Sequence, residues 1–342
     1  MSEEIQEIDQ DEEELFEHFR FKADPGQEVV RIDKFLMDRM PNTSRNKIQV
    51  AAKNGNILVN DRQVKQNYRI KPGDEVSMVL PYPVREIELI PQDIPLNIVY
   101  EDDSLIVLNK PANMVVHPGY GNYTGTLVNA LVYHFDHLPQ RIHDYFGRPG
   151  LVHRLDKHTT GIMVVAKTEN ALTHLAKQFY DRTTERRYHA LVWGDVEEDV
   201  RIEGNLGRSL QNRKMMTVFP DGDYGKHAVT NVKVIKRFGL VTLVECKLET
   251  GRTHQIRAHM KWIGHPLFHD LEYGGDRIVK GTTSASYKHF IENCFELIPG
   301  QALHAKSLGF VHPETGKWLQ FDSELPEGFK LLLEKWERYT VQ

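Results

Sequence analysis

The sequence predicts an α+β protein in two parts: a small helix-pair and hairpin unit, then a larger domain on a mixed, mainly antiparallel sheet. Three observations carry that expectation. Residues 29–80 hold ten Lys/Arg against five Asp/Glu, a local charge of +5 unlike the rest of the chain. Four prolines with little periodicity fall between Pro81 and Pro95, as in a linker. The strand-like runs after Leu96 are separated by connections that favour antiparallel neighbours over parallel crossovers.

At 342 residues the chain has room for two domains, and the expected boundaries are an acidic, disordered tail over 1–28, a basic unit over 29–80, a linker over 81–95 and a large domain over 96–342. The first twenty residues carry nine acids and one base, which leaves 42 basic against 39 acidic residues elsewhere. The formal charge of −5 therefore conceals a body of net +3, compatible with a polyanionic partner. No apolar run approaches the roughly 18 residues that span a bilayer, and the acidic start is unlike a secretory signal, so a cytoplasmic protein without membrane contact is expected. Cys246 and Cys294 are too few and too far apart for a zinc or disulfide framework. Seventeen histidines include pairs at 254/259 and 265/269, but no HExxH pattern accompanies them and no metal site is expected.

In the basic unit, Ile32, Phe35, Leu36 and Met40 recur at helical spacing, and a second helix is expected from a cap at Thr43 or Ser44 to Gly55. Ile57 to Val59, an Asn60-Asp61 turn, Val64, and a Pro72-Gly73-Asp74 turn before Val76 complete a hairpin. The segments RIDKFL, SRNKIQVAAKNGNILVN and VKQNYRIKPGDEV together resemble the S-four-like RNA-binding domain, named for a ribosomal small-subunit protein. That resemblance implies that Arg31, Lys34, Arg45 and Lys47 face RNA phosphates, contacts that give salt-dependent affinity with little sequence discrimination.

The large domain opens with a hairpin, Leu96 to Tyr100 and Leu105 to Leu108, followed by Lys110-Pro111 and a helix bearing Leu127, Ala130, Leu131 and Phe135 on one face. Next, LVHRLDKHTTGIMVVAKT (Leu151 to Thr168) sets a charged, His-rich loop between two apolar runs, as a polar loop pinned by sheet. A helix through Leu172, Leu175, Ala176 and Phe179 precedes a strand from Tyr188 to Gly194, and further strands follow at Val232 to Ile235 and Val241 to Leu248. In TGRTHQIRAHMKWIGHP, Gly251 breaks the strand, Thr253 is the expected N-cap, and Gly264 with Pro266 ends the helix. Arg257 then sits near a helix N-terminus, where a neighbouring carboxylate stays ionised. Leu303 to Phe321 reads as a hairpin with a Pro-Glu-Thr-Gly turn.

Four ordered blocks, KPANMVVHPG (Lys110 to Gly119), HRLDKHTTG (His153 to Gly161), RYHALVWG (Arg187 to Gly194) and TGRTHQIRAH (Thr250 to His259), with LHAKSLGFVHP after them, resemble the RluA-type family of pseudouridine synthases. An S-four-like domain in front is similar to its RluD branch, which modifies large-subunit ribosomal RNA. The resemblance implies a pseudouridine-synthase-type fold and isomerisation of uridine within RNA: the base is detached, rotated and rejoined through carbon. It implies no cofactor, large-subunit ribosomal RNA or its precursor particle as partner, and a monomer. Asp156 of HRLD would be the nucleophile or the carboxylate assisting glycosidic cleavage. Tyr188 would stack on the base or take its carbon-bound proton, Arg257 would pair with Asp156, and Arg154 would fill the gap left by the flipped nucleotide. His153 and Arg252, in the same blocks, are expected at the RNA.

The chemistry asks for such groups independently. A base must leave its stack, at roughly a few kcal/mol, before its glycosidic bond is reachable. An aromatic stack worth about 1–3 kcal/mol and a cationic plug offset that. A carboxylate used as nucleophile must be ionised while partly desolvated, which a fixed guanidinium permits. Two departures stand out. Thr160 replaces the family's serine, and His269-Asp270 replaces a Gly-Asp pair, so a glycine's positive φ is in question there. A kinase is excluded because Leu155 interrupts His-Arg-Asp and no Gly-rich phosphate loop accompanies it. A glycosidase needs a second carboxylate about 5–10 Å from Asp156, which no block supplies. An inactive ribosome-associated RNA-binding protein and a synthase acting on transfer RNA stay as rivals, the former disfavoured by Asp156, Tyr188 and Arg257 occurring together.

Overall fold

The computed structural model describes residues 16–40, 45–80, 89–119, 121–135, 138–139, 149–209, 211–212 and 215–341. The chain forms two compact units that divide between Ile87 and Glu88. The first contains β1 (Phe16–Lys22), α1 (Ile32–Arg39), α2 (Arg45–Lys53), β2 (Ile57–Val59), β3 (Arg62–Gln63) and β4 (Glu75–Leu80). Its antiparallel strands lie in the order β1-β4-β2-β3. Ile32, Phe35, Leu36, Ile48 and Ile57 are fully enclosed between the helix pair and this sheet. Asn60 and Asp61 both take left-handed backbone (φ 49° and 61°), which lets a two-residue turn follow the twist of β2 and β3. The expected caps Thr43 and Ser44 lie outside the described residues.

Strand β1 corrects the expected extent of the acidic tail. It pairs with β4 from Phe16 to Lys22, and Phe19 and Phe21 pack against the unit's core. Its charged residues are matched in place, since the Arg20 guanidinium donates to Glu17 and Glu75. Residues 1–15 lie outside the described residues.

The second unit runs β5 (Asn97–Glu101), β6 (Leu105–Lys110), α3 (Leu127–His134), β7 (Thr160–Ala166), α4 (Glu169–Asp181), β8 (Glu185–Trp193), β9 (Val200–Arg208), β10 (Met216–Phe219), β11 (Lys226–Arg237), β12 (Val241–Leu248), α5 (Gln255–Trp262), α6 (Ala285–Phe295), β13 (Leu303–Val311), β14 (Trp318–Asp322) and α7 (Glu327–Val341). One sheet holds them in the order β10-β9-β11-β12-β8-β13-β7-β6-β5, with β14 beside β13. All pairings are antiparallel except β7 with β13, as the expected mixed, mainly antiparallel sheet requires. Part of the expected linker belongs here: Leu89 and Ile94 pack on the main core, and the Gln92 N–H donates to the Asn129 carbonyl. A second core joins Trp193 and Phe268 to Phe329, Leu332 and Trp336 of α7. These layers fix the centre of the sheet, where β7, β8, β12 and β13 meet.

Candidate active site

The loop from Val152 to Thr159 hangs between a single bridge, Leu151 to Val165, and the start of β7 at Thr160. Three ties hold it. Lys110, enclosed at the end of β6, donates from Nζ to the carbonyls of Pro111, Met114 and Lys157, the last of these next to Asp156. The Thr159 N–H donates to the Asp156 carbonyl at 3.1 Å, while the Thr159 hydroxyl accepts from Gln301. Thr160 Oγ1 meets His304 Nδ1 at 2.8 Å, so the threonine that departs from the family pattern puts its hydroxyl to use.

Gly161 explains why no side chain follows Thr160. Its φ is +112°, and a Cβ there would lie 2.3 Å from the Ala305 carbonyl oxygen, where β7 and β13 run parallel. Gly161→Ala is therefore expected to destabilise the protein by about 2 kcal/mol or more and to lower activity through displacement of the loop. Urea unfolding checks this, and an unchanged midpoint would contradict the contact.

Asp156, with its side chain 22% exposed, accepts at Oδ2 from Arg257 Nη1 at 3.2 Å. Its Oδ1 faces His254 Nε2 at 3.7 Å. The expected Asp156–Arg257 pair is present, but the guanidinium fork is spent elsewhere. Arg257 Nε and Nη2 each donate to Asp270 at 2.7 Å, and Nη2 also donates to Glu272 at 2.7 Å. Burial alone would lower the Arg257 pKa; the Asp270 hydrogen bonds and the three carboxylate charges outweigh it and hold the group above its ordinary value. Arg257 is thus a permanent cation, clamped from behind by Asp270 and presenting one N–H to Asp156.

Helix α5 does not begin as expected. Its N-cap is His254, at φ 52° and without a side-chain cap, not Thr253. The Gln255 side chain accepts from the Arg252 N–H and the Thr250 hydroxyl, which ties the chain before the helix to its first turn. Thr253 Oγ1 instead accepts from Arg154 Nη2 at 3.2 Å. His269 itself takes left-handed backbone at φ 59°, so positive φ at this turn does not need a glycine, and its ring is held by Phe295 at 4.5 Å and the Ile298 carbonyl.

Tyr188 lies at the middle of β8, in register with Cys246 of β12 and Ala305 of β13. Burial pushes its phenol up, so the ring is a neutral, flat surface at neutral pH. It borders a cleft of about 760 Å³ whose walls include Arg154, Asp156, Phe179, Arg252 and His254. A recess of about 70 Å³ adjoins it between Asp156, Tyr188, Arg257 and Leu303. Asp156, Tyr188, Arg154, His153 and Arg252 line this cleft, and Arg257 lines the recess beside it. At His153, Nε2 accepts from the Val164 N–H, the ring stacks on Phe179 at 4.6 Å, and burial beside Arg186 pushes the pKa down to about 3. It is a neutral wall of the cleft. Arg252 donates from Nε to the His227 carbonyl.

In the first unit, Arg31 and Arg45 both donate to Asp33, whose side chain is fully enclosed. Burial pushes the Asp33 carboxyl up, but hydrogen bonds from Arg31, Gln49 and Arg45 win and hold it well below the usual range. The sequence reading missed this anchor, which fixes two of the expected RNA contacts on a common post. Lys34 is exposed on α1, and the Lys47 side chain lies outside what is described. In the second unit it also missed Asp270, Glu272 and His254 as partners of Arg257 and Asp156.

The fold's buried histidines set its acid limit. Burial pushes His259 and His304 down to about 4 and His153 to about 3. The unfolded chain takes these protons near pH 6.5, so stability is intact above that value and falls as pH drops toward 4. The loss is at most about 1.4 kcal/mol per histidine per pH unit. A urea midpoint lower at pH 5 than at pH 7 is expected, and equal midpoints would contradict it.

Residues 104–262 match the family model described as RNA pseudouridylate synthase, and residues 30–76 match the S4 domain. A protein of Chlorobaculum parvum named uncharacterized RNA pseudouridine synthase is 44% identical over 311 residues, which cover 90% of this chain and 94% of that one. The chain belongs to the RNA pseudouridine synthase family. It is an isomerase with an S4 domain in front. Also similar is ribosomal large subunit pseudouridine synthase D of Zymomonas mobilis, 42% identical over 88% of this chain and 92% of that protein. The structure of human RNA pseudouridylate synthase domain containing 1 aligns with a TM-score of 0.52 at 25% identity, over 69% of this chain and 85% of that one. Among the described residues no helix is long and apolar enough to cross a membrane.

Proposed function

We propose that this synthase isomerises particular uridines of large-subunit ribosomal RNA in the cytoplasm, with Asp156 opening the glycosidic bond. The observation that carries the reading is the Asp156 carboxylate on the cleft wall, with one oxygen held by a permanently charged arginine and the other facing His254 Nε2 at 3.7 Å. A uridine extruded from its stack enters beside Tyr188, whose ring takes the base face. Arg154, the exposed neighbour of Asp156, occupies the vacated place in the RNA. Asp156 assists rupture of the ribose C1′–N1 bond, the base turns within the cleft, C1′ bonds to C5, the proton on C5 leaves and N1 gains one. Atoms and charge balance without a cofactor. The choice of large-subunit RNA is supported by the name of the Zymomonas mobilis relative and of a 42% identical relative in Neisseria meningitidis.

Incubation with an unmodified large-subunit ribosomal RNA transcript, and separately with transfer RNA, tests this. Pseudouridine in the first and not the second is expected; the reverse would overturn the substrate assignment. Tyr188→Phe keeps the ring and is expected to keep RNA affinity, while Tyr188→Ala weakens it by about 1–3 kcal/mol. Equal affinity of the alanine variant would remove the stacking role. Lys34→Gln combined with Lys47→Gln is expected to flatten the salt dependence of RNA binding, by about 0.7–0.9 in slope for each phosphate no longer neutralised. An unchanged slope would detach these lysines from the RNA.

A further inference from the structure

Arg186 is only 8% exposed, yet among the described residues no hydrogen bond or carboxylate meets its guanidinium, and its Nε is enclosed without a partner. Burial of a cation is costly unless it is paired, and the two arginines nearest in kind follow that rule. Arg257, also buried, holds three carboxylates, and even the partly exposed Arg187, next in the strand, is paired with Glu185 and Glu245.

The surroundings are shaped around the unpaired group. Its guanidinium carbon lies 5.7 Å from the centre of the Phe179 ring, which also stacks on the neutral His153. A Cβ on Gly251 would come within 2.5 Å of Arg186 Nη1, so the loop after β12 leaves this guanidinium room. The wall of the cleft holds Arg154, Arg182 and Arg252 besides Arg186. Its two carboxylates are already engaged, Asp156 with Arg257 and Asp181 with Lys177. An anion entering the cleft therefore finds an excess of positive charge and a desolvated fork without a competitor.

We infer that Arg186 is the binding site for a backbone phosphate of the RNA strand beside the flipped uridine, with Arg182 and Arg252 at its rim. Arg186 and Tyr188 are two apart on β8 and share one face, so their side chains emerge about 7 Å apart. The ring takes the base while the fork takes a phosphate next to it, and the flipped nucleotide is located by both. A planar fork matches two phosphate oxygens at once, which an ammonium does not. The cost of the unpaired cation in the free protein is recovered when RNA binds.

The inference rests on RNA as the substrate, and its test separates the two. In the full-length protein, Arg186→Met is expected to weaken binding of the unmodified large-subunit ribosomal RNA transcript about 10- to 100-fold and to reduce the salt slope by about 0.7–0.9. Without RNA its Tm is expected to equal or exceed that of the unaltered protein, because an unpaired buried charge has been removed. Arg186→Lys should recover the slope but only part of the affinity. Inorganic phosphate is the second probe, raising the Tm of the unaltered protein and not that of Arg186→Met. If the unaltered protein ignores the transcript, the substrate reading fails, and the phosphate arm still judges Arg186. A methionine variant with unchanged affinity and slope, a Tm lowered in the absence of ligand, or an equal response to phosphate would each overturn the inference.

Discussion

Asp156→Asn is expected to abolish pseudouridine formation, by about 10⁴-fold or more, while leaving RNA affinity almost unchanged. Asparagine preserves the shape of the side chain and one oxygen for Arg257 Nη1, but it has no negative charge to place against a breaking glycosidic bond. The scaffold should not notice the change. Arg257 keeps Asp270 and Glu272, so no buried cation is stranded, and the loop is held by Lys110, Thr159 and Thr160 through atoms that Asp156 does not supply as a side chain. Loss of a negative charge in a cleft lined by four arginines gives no reason for weaker RNA binding. Release of tritium from RNA labelled at uridine C5, measured beside a binding titration, separates the two effects. Residual turnover within tenfold of the unaltered protein would remove Asp156 from the chemistry.

Arg257→Met is expected to cost about 3–5 kcal/mol of stability and nearly all activity. Asp270 has no exposed side-chain surface, and its carboxylate would be left buried opposite a thioether. The carboxylates of Asp156 and Glu272 would lose the same cation. Arg257→Lys restores the charge but cannot form two parallel bonds to Asp270 while also reaching Asp156, so recovered stability with poor activity is expected. Asp270→Asn should resemble the lysine variant, since the fork would then be free to rotate away from Asp156. Unfolding curves and tritium release together check this. An Arg257→Met protein as stable as the unaltered one would show that the Asp270 pair carries no weight.

The sequence made the loop Val152 to Thr159, its sheet flanks and the helix pair of the basic unit legible, because apolar periodicity and turn residues agree there. Strand β1 was hidden by the acidic residues before and within it, and its pairing with β4 lies some sixty residues away. Strand β9 carries Gly204 and Gly207, which interrupt its alternation, and it is held by partners on both sides rather than by its own pattern. Asp270 was not legible as the main partner of Arg257, because no spacing announces a partner thirteen residues on, beyond the end of α5. Thr253 is not the N-cap of α5, and its hydroxyl accepts instead from Arg154, a partner in another loop. Such side-chain exchanges depend on loops meeting in space, which local residue patterns do not encode.

Pseudouridine mapping in large-subunit ribosomal RNA, from cells lacking the gene and cells carrying the unaltered or Asp156→Asn protein, tests the central claim most directly. The account predicts that particular uridines stay unmodified in the deletion and with Asp156→Asn, and are converted only with the unaltered protein. A map identical in all three, or conversion restored by Asp156→Asn, would contradict it.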